Sequence, residues 1–135
     1  EAWDDRYKPN QDWNHAWGAA PASIIPRHLM GVRPLTAGFE QILIQPQPGN
    51  LDWAELTTPT IRGPVTVRFN NVPWQSFHLE TVTPANTMTR VMVPALGSDD
   101  PVVSVDGRRV YGRVDGTFVV VEGVGSGLHT FERSV

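Results

Sequence analysis

The chain has 135 residues, which is enough for one domain, or for one domain and a fragment of another. Its formal net charge of −3 excludes a basic surface for nucleic acid or an anionic membrane, and the absence of cysteine excludes disulfides, zinc–thiolate sites and a thiol nucleophile. Twelve proline and twelve glycine residues favour short strands and turns over a helical bundle, and no apolar run reaches the roughly 20 residues of a transmembrane helix.

The first residues give little structural information. The chain begins at Glu1 without an initiating methionine or a signal peptide, which suggests a fragment of a longer protein. Residues 1–11 follow neither the helical nor the strand period, so we expect an irregular segment there.

Residues 12–21 differ from the rest of the chain, because they alone have the composition of a binding site. In the sequence, His15 stands between Trp13 and Trp17, in a segment rich in glycine and alanine. Indole faces stack on the apolar face of a sugar ring, and imidazole and carboxylate groups bind its hydroxyls, so the composition suits sugar recognition. From the residues alone, a helix-capping histidine and a packing Trp17 are the more ordinary interpretations.

Proline and glycine mark the ends of a helix of about ten residues after this segment. Pro21 suits the first helical position, where a missing N–H costs nothing, and Gly31 suits the left-handed residue that ends a helix. The ring of Pro26 would clash with the carbonyl group of Ala22 and cost about 3 kcal/mol unless the helix bends there. A helix this short does not persist alone in water, so we expect it to dock on the sheet region, on a missing domain or on a second copy.

From Phe39 onwards the apolar pattern changes to a period of two. The continuous apolar run at residues 42–44 is typical of a buried strand, and most later segments alternate apolar with polar residues. The predicted strands are residues 42–44, 53–57, 65–69, 77–80, 87–93, 102–105, 108–111 overlapping with 110–114, 117–122 and 128–132.

Two Asp-Gly dipeptides predict tight hairpins in the second half of the chain. Asp106-Gly107 and Asp115-Gly116 each lie between predicted strands, and a type I′ turn requires positive φ at both central residues. The predicted fold class is therefore mainly β: an antiparallel β-sandwich of about eight strands, preceded by one short α-helix.

Several spaced motifs resemble the C-terminal end of bacterial α-L-rhamnosidases. The first group, in the order of that family, is Asn14-His15-Ala16-Trp17-Gly18, Pro21, Met30-Gly31-Val32-Arg33-Pro34, Gly38-Phe39 and Ile42-Leu43-Ile44-Gln45-Pro46. The resemblance continues at residues 59–67, where the family has a hairpin with a similar Pro-Thr…Gly pattern, and it returns weakly at residues 127–131.

The resemblance implies an organisation into two parts. In this glycoside hydrolase family, a catalytic (α/α)6 barrel ends in such a segment and passes directly into a C-terminal β-sandwich. Residues 1–34 are then expected to be the terminal segment of the barrel, and residues 35–135 the sandwich. The implied parent enzyme hydrolyses terminal α-L-rhamnose with inversion. Its general acid and base lie upstream of the matching segment, so the chain should contain no catalytic residue and be inactive by itself.

The resemblance also implies site residues and partners. A histidine in this segment lines the sugar-binding subsite of the family, so His15, with Trp13 and Trp17, is expected to bind substrate and supply one side of the pocket. The expected partners are a rhamnose-containing glycan or glycoside and the missing barrel, with no nucleic acid and no membrane. The compartment stays open, with a periplasmic or secreted location slightly favoured over a cytoplasmic one.

The remaining polar residues do not indicate a metal or a cofactor, and we expect neither. Asp4 and Asp5 are interpreted as solvated loop residues. The four histidines lack the spacing of metal ligands, and Asp99, Asp100 and Asp106 do not follow the ligand pattern of a calcium loop.

Two other classes of function stay open. A non-catalytic carbohydrate-binding module would bind sugar through an exposed Trp53 or Trp74, although single tryptophans on strands are usually core or interface residues. A structural domain would mediate association instead, and the apolar face formed by Ile24, Ile25 and Leu29 would then support a homodimer through the helix.

Overall fold

A computed structural model describes residues 19–135 of the chain. A helical segment, formed by α1 (Ala20–Ile24) and a π-helical turn (Ile25–Leu29), precedes the sheets, and a 3₁₀ turn (Ala37–Phe39) follows the first strand. The strands are β1 (Val32–Pro34), β2 (Gln41–Ile44), β3 (Trp53–Thr60), β4 (Gly63–Val72), β5 (Ser76–Thr83), β6 (Met88–Pro94), β7 (Val102–Val105), β8 (Arg108–Tyr111), β9 (Arg113–Asp115), β10 (Phe118–Val124) and β11 (Gly127–Ser134). No helix in this part of the chain is long and apolar enough to cross a bilayer.

The strands form two sheets that share one hydrophobic core. One sheet has the strand order β1-β2-β6-β10-β9, and the other has the order β3-β4-β5-β11-β7-β8. The paired strands are antiparallel except for β2 and β6, which run parallel. The predicted fold class, a mainly β, antiparallel-rich sandwich with one short helix, is confirmed.

Alternation along the central strands decides which side chains fill the core. Val65, Val67 and Phe69 of β4 are buried, and so are Phe77 and Leu79 of β5, as their period of two predicts. The ring centroids of Phe69 and Phe77 lie 5.6 Å apart. Full burial of a side chain of this size stabilises the fold by about 1.5–3 kcal/mol. The five-stranded sheet contributes a matching set of buried residues: Ile42, Ile44, Val91, Val93 and Val119.

The described residues form eleven strands rather than about eight, and two of the additional strands have clear local causes. β1 has only three residues and becomes a strand through its antiparallel pairing with β2. The overlapping strands predicted at 108–111 and 110–114 are separate in the structure, with Gly112 between β8, in one sheet, and β9, in the other. A Cβ atom at Gly112 would lie 2.6 Å from the carbonyl oxygen of Val120, so the chain changes sheets at a point where only glycine fits.

One of the two predicted hairpin turns is confirmed and the other is shifted by one residue. Asp106 and Gly107 have φ values of 51° and 75° and join β7 to β8, as a type I′ turn requires. Asp115, however, is the last residue of β9, so the central turn residues are Gly116 and Thr117. Of these two only Gly116 has positive φ. The prediction for the second dipeptide is wrong because a glycine can also occupy the first central position of a turn.

The helical segment confirms the positions predicted for its prolines. Pro21 lies in the first turn of α1, where its missing N–H is not needed. Around Pro26 the helix widens into the π-helical turn, and the N–H of Met30 donates to the carbonyl of Ile25 at 2.9 Å. This widening is the local adjustment expected where a proline ring would otherwise clash with the preceding turn.

The end of the helical segment is fixed to the sandwich. Met30 lies in the core and is 1% exposed. The carbonyl of Gly31 accepts the N–H of Gln45 at 3.1 Å, and the carbonyl of Leu29 accepts the N–H of Gln47 at 2.9 Å. Of the three docking arrangements that the sequence leaves open, the structure therefore contains docking on the sheet region.

Replacement of Gly31 by alanine should disrupt this junction. Gly31 has a φ of 73°, and a Cβ atom there would overlap the backbone of Gln45. We expect Gly31→Ala to lower the free energy of unfolding in urea by about 3 kcal/mol or more, since backbone strain and steric overlap add. Gly38→Ala is the matched control, because Gly38 has a φ of 71° but no atom within 4 Å of the added Cβ. Its loss should be about 1–2 kcal/mol. Equal losses in the two variants would contradict the close approach.

Candidate functional site

The three residues predicted to bind substrate, Trp13, His15 and Trp17, lie outside the described residues. Asp4 and Asp5 do as well. The roles given to them above therefore stay predictions. The structure describes the segment that follows them, in which α1 leads into the anchored end of the helical segment.

The helical segment carries apolar side chains that the sandwich does not cover. Ile24 is 53% exposed and Ile25 is 42% exposed, and no residue of α1 is buried. Leu29, in the π-helical turn, packs against the core. The predicted apolar face is therefore divided: its last residue belongs to the sandwich, and its first residues are open to contact with another surface.

The two tryptophans of the sandwich are both exposed, but they lie in different places. Trp53 is 66% exposed and begins β3, opposite Asn70 on the outer face of the six-stranded sheet. Trp74 is 74% exposed and lies in the turn between β4 and β5, where it lines a cleft. Trp53 is not part of that cleft, so the two indoles do not share one binding surface.

The cleft, called the Trp74 cleft below, has a volume of about 790 Å³ and lies where connections between strands meet. Residues 47–50 of the β2–β3 loop form one side, and residues 94–99, at the end of β6 and in the following loop, form another. Residues 73–74 and 116–118 complete it. Of the described residues that line the cleft, Asp99 is the only charged one.

A buried amide fixes the β2–β3 side of the Trp74 cleft. Asn71 is buried in β4, and its side-chain NH₂ group donates to the carbonyl of Leu51 at 2.9 Å and to that of Gly49 at 3.4 Å. Its backbone N–H donates to the carbonyl of Asp52 at 2.7 Å. Each well-formed hydrogen bond of this kind contributes about 1 kcal/mol net, so the loop is held against β4 over several residues.

A buried guanidinium fixes the β6–β7 side. Arg133 is 5% exposed in β11, and no carboxylate of the described residues lies within 4.0 Å of its nitrogens. Its Nε donates to the carbonyl of Ala95 at 3.1 Å, and its two terminal nitrogens donate to those of Val102 at 2.6 Å and Ser98 at 3.3 Å. Hydrogen bonds from a charged donor contribute about 1.5–3 kcal/mol each, so the course of the loop depends on this side chain.

Two residues of the cleft have a backbone conformation that side chains disfavour. Trp74 has a φ of 63° and Leu96 has a φ of 57°. Such residues cost on the order of 1–3 kcal/mol each and persist only where surrounding contacts determine them. The indole of Trp74 lies beside Gly97, at 3.6 Å from the position of an added Cβ. The β4–β5 turn of one sheet is thereby packed against the loop that leaves the other.

Neither buried polar residue was among the sites predicted from the sequence, although the strand period contains a signal for each. Asn71 lies two positions after the inward-facing Phe69, and Arg133 lies two positions after the inward-facing Phe131. A polar side chain at an inward position requires hydrogen-bond partners inside the fold. The period therefore predicts that these residues are satisfied internally, but it does not identify the loops that they bind.

A second depression, of about 550 Å³, is lined mainly by residues of β4, β5 and β11. It contains His78 and Glu132, whose Nε2 and Oε1 atoms are 3.7 Å apart. Both side chains are well exposed, so this contact is worth at most about 1 kcal/mol. The arrangement is that of a solvated sheet surface.

The β7–β8 turn contains a carboxylate with fixed partners. The carboxylate of Asp106 accepts the backbone N–H of Thr130 at 2.8 Å and lies 2.7 Å from Nδ1 of His129. The hydrogen bond from the Thr130 backbone, followed by the one to His129, lowers the pKa of Asp106 below its usual value. These contacts tie the hairpin to β11.

The structure brings no metal-binding group together in the part of the chain that it describes. Within residues 19–135, no three side chains of His, Cys, Asp or Glu form a group that could hold a metal ion. The described histidines lie on separate elements: His28 in the π-helical turn, His78 in β5 and His129 in β11.

Comparison with known proteins assigns the family. The family model described as the bacterial alpha-L-rhamnosidase C-terminal domain matches residues 31–108, which is more than half of the chain. The chain belongs to this family. A curated relative, the alpha-L-rhamnosidase of Streptomyces avermitilis, is 35% identical over 109 residues, covering 77% of this chain and 10% of the relative. The chain thus spans about a tenth of the length of that relative.

Solved structures of rhamnosidases contain the same fold. The alpha-L-rhamnosidase from Dictyoglumus thermophilum is similar with a TM-score of 0.76 and 26% identity, over 88% of this chain and 14% of that chain. For the Streptomyces avermitilis enzyme complexed with L-rhamnose, the TM-score is 0.73 and the identity 29%, over 88% and 11% of the two chains. For the alpha-L-rhamnosidase from Aspergillus terreus, the TM-score is 0.62 and the identity 25%, over 88% of this chain and 12% of that chain. The family resemblance inferred from the motifs is confirmed.

Loss of the buried guanidinium should destabilise this rhamnosidase C-terminal domain. Arg133→Met keeps an unbranched side chain but removes the donors to Ala95, Ser98 and Val102. We expect a loss of about 3 kcal/mol in the free energy of unfolding, measured with urea. Arg109→Met, at an exposed position of β8, is the matched control and should change stability by no more than about 0.5 kcal/mol. A loss for Arg133→Met as small as that of the control would mean that the loop does not depend on the guanidinium.

Protonation of Asp106 should weaken the domain in acid. Because the folded protein lowers the pKa of Asp106, the carboxylate stabilises the fold above its unfolded pKa, and this contribution disappears as the pH falls through the folded pKa. Asp106→Asn keeps an oxygen acceptor for Thr130 and a residue that tolerates the left-handed turn, but it removes the charge. The difference in unfolding free energy between wild type and variant should be fully present at neutral pH and shrink as the pH falls below the usual carboxyl pKa of 3.8. A difference that is constant over this range would contradict the role of the charge.

Proposed function

We propose that the chain is the C-terminal part of a longer bacterial α-L-rhamnosidase, which removes terminal α-L-rhamnose from glycans or glycosides with inversion of configuration. The observation that carries the proposal is the family match over residues 31–108, supported by the fold shared with rhamnosidases of which the chain covers 14% and 11%. Inversion requires two carboxyl groups about 6.5–9.5 Å apart, and the family resemblance places both of them in the barrel, upstream of this chain.

In this proposal, residues 1–34 are the terminal segment of the barrel and residues 35–135 are the sandwich that supports it. The packing of the helical segment favours such a connection. Met30 and Val32 are part of the sandwich core, so the two parts would meet in a shared core and not across a flexible linker. Ile24 and Ile25 are exposed, and they supply an apolar surface for the barrel to cover.

The proposed substrate-binding residues precede this anchored segment closely in the sequence. His15 would bind a rhamnose hydroxyl, and Trp13 and Trp17 would place indole faces against the ring, so that together they supply one side of the pocket. A neutral hydrogen bond from His15 contributes about 1 kcal/mol net, and one with a charged partner contributes about 1.5–3 kcal/mol. The support for this role is the family resemblance of residues 14–18.

A role in self-association is the second candidate, and the exposure of Ile24 and Ile25 favours it. In a chain without a barrel, the same apolar surface is available to a second copy, which gives a homodimer through the helix. In the longer enzyme the barrel occupies this surface, so the two arrangements are mutually exclusive.

His15→Ala in the longer enzyme should reduce kcat/KM for an aryl α-L-rhamnoside by about one to two orders of magnitude, which corresponds to the loss of one hydrogen bond to the sugar. His78→Ala, on the outer face of the six-stranded sheet, is the matched control and should leave kcat/KM unchanged. The isolated 135-residue chain should release no rhamnose from the same substrate, because the proposal assigns the acid and the base to the barrel.

Two outcomes would argue against these assignments. Wild-type kinetics for His15→Ala would remove His15 from the pocket. Rhamnose released by the isolated chain, and retained through purification to homogeneity, would mean that a catalytic pair lies within these residues.

A further inference from the structure

We propose that the Trp74 cleft is a binding site for a neutral sugar ring. That this ring belongs to a rhamnose-containing glycan rests on the proposed function, whereas the binding of a neutral pyranose rests on the cleft alone. The inference goes beyond the pocket proposed for residues 13–17, because every residue that carries it lies in the sandwich.

The indole of Trp74 is exposed at the edge of the cleft. Trp74 leaves 74% of its surface in contact with solvent, although burial of so large an apolar side chain would stabilise the fold. Its backbone also has the disfavoured left-handed conformation, with a φ of 63°. A residue that is both exposed and strained contributes little to stability, so its position requires another explanation. An indole face at the edge of a cleft is the surface on which the apolar face of a pyranose stacks.

The size and the polar lining of the Trp74 cleft suit a sugar ring. Its volume of about 790 Å³ lies within the range of small-molecule sites, which is roughly 300–1,000 Å³. Amide, hydroxyl and carboxylate groups that accept or donate hydrogen bonds to sugar hydroxyls line it: Gln47, Asn50, Ser98, Asp99 and Thr117.

Within residues 19–135, no arginine, lysine or histidine lines the Trp74 cleft, and Asp99 contributes the only charge there. A phosphate or a uronic acid would meet a carboxylate without a compensating cation, which disfavours an anionic ligand. A neutral sugar has no such penalty, and its hydroxyls donate to carboxylate oxygens.

The two loops that form the sides of the Trp74 cleft are held in place by buried hydrogen bonds. Asn71 and Arg133 are each 5% exposed, and they bind the backbone of the two loops that face each other across the cleft. Both loops are therefore fixed from inside the fold. A site that is already formed loses less conformational entropy when a ligand binds, which raises the affinity available from few contacts.

The test is an NMR titration of the isotope-labelled 135-residue chain with L-rhamnose and D-glucose, with D-galacturonate as the anionic comparison. We expect saturable shifts of the Trp74 indole N–H and of the Gly97 and Asn50 backbone amides with at least one neutral sugar, at millimolar affinity. Trp74→Ala should weaken the binding by about tenfold or more. Trp53→Ala removes another well-exposed tryptophan, which lies outside the cleft, and it should leave the affinity unchanged.

The outcomes either support or overturn the proposal. If Trp74→Ala does not fold, Asn50→Ala and Asp99→Ala replace it, and a loss of affinity of severalfold in both supports the site. No saturable shift with either neutral sugar up to about 50 mM, unchanged affinity in the cleft variants, or equal binding of galacturonate would overturn it. The result is separate from the proposed function, because hydrolysis by the longer enzyme is measured independently and either experiment can fail alone.

Discussion

The conformation of the loop between β6 and β7 depends on one buried side chain, the guanidinium of Arg133. A buried charge is expensive unless its hydrogen-bonding groups are satisfied, and here the partners are backbone carbonyls of Ala95, Ser98 and Val102. Ala95 and Ser98 lie in the loop that connects β6 of one sheet to β7 of the other, and Val102 is the first residue of β7. Movement of this loop away from β11 would leave the charge without its partners, so charge burial and loop conformation hold each other in place.

Asn71 provides the same kind of constraint for another connection between the sheets. The loop between β2 and β3 also passes from the five-stranded to the six-stranded sheet, and its carbonyls at Gly49 and Leu51 accept hydrogen bonds from the Asn71 amide. The Trp74 cleft lies between the two loops held in this way. Its shape is therefore a consequence of how the two sheets are joined, and the same hydrogen bonds that stabilise the fold give the cleft its form.

Sequence patterns predicted the parts of the fold that depend on local period and turn chemistry. The alternation of Val65, Val67 and Phe69, the helix ends and the Asp106-Gly107 turn all belong to this group. β1 and the sheet change at Gly112 were not predictable, because a three-residue strand and a close backbone approach are defined by partners distant in sequence. The turn of the second hairpin differs from the predicted one because its register is set by pairing along the strands and not by the dipeptide alone.

The candidate sites were predictable to different degrees for a similar reason. The composition of residues 13–17 indicated a sugar-binding segment, whose roles stay predictions because it lies outside the described residues. Trp74 was recognisable from the sequence as an aromatic candidate, but the cleft around it depends on loops from both sheets. A local pattern identifies a side chain that suits a ligand, whereas the enclosure of that ligand is a property of the tertiary structure.

The parallel pairing of β2 with β6 has a consequence for the order of events during synthesis. In its sheet, β2 lies between the very short β1 and β6, and Ile42 pairs with Thr89 far along the chain. Gly31 and Leu29 are hydrogen-bonded to the segment that directly follows β2. Until the ribosome has released β6, β2 has no long partner, and contacts so distant in sequence form late. Any domain encoded upstream would therefore fold first, and its junction with the sandwich would become ordered only after β6 has been synthesised.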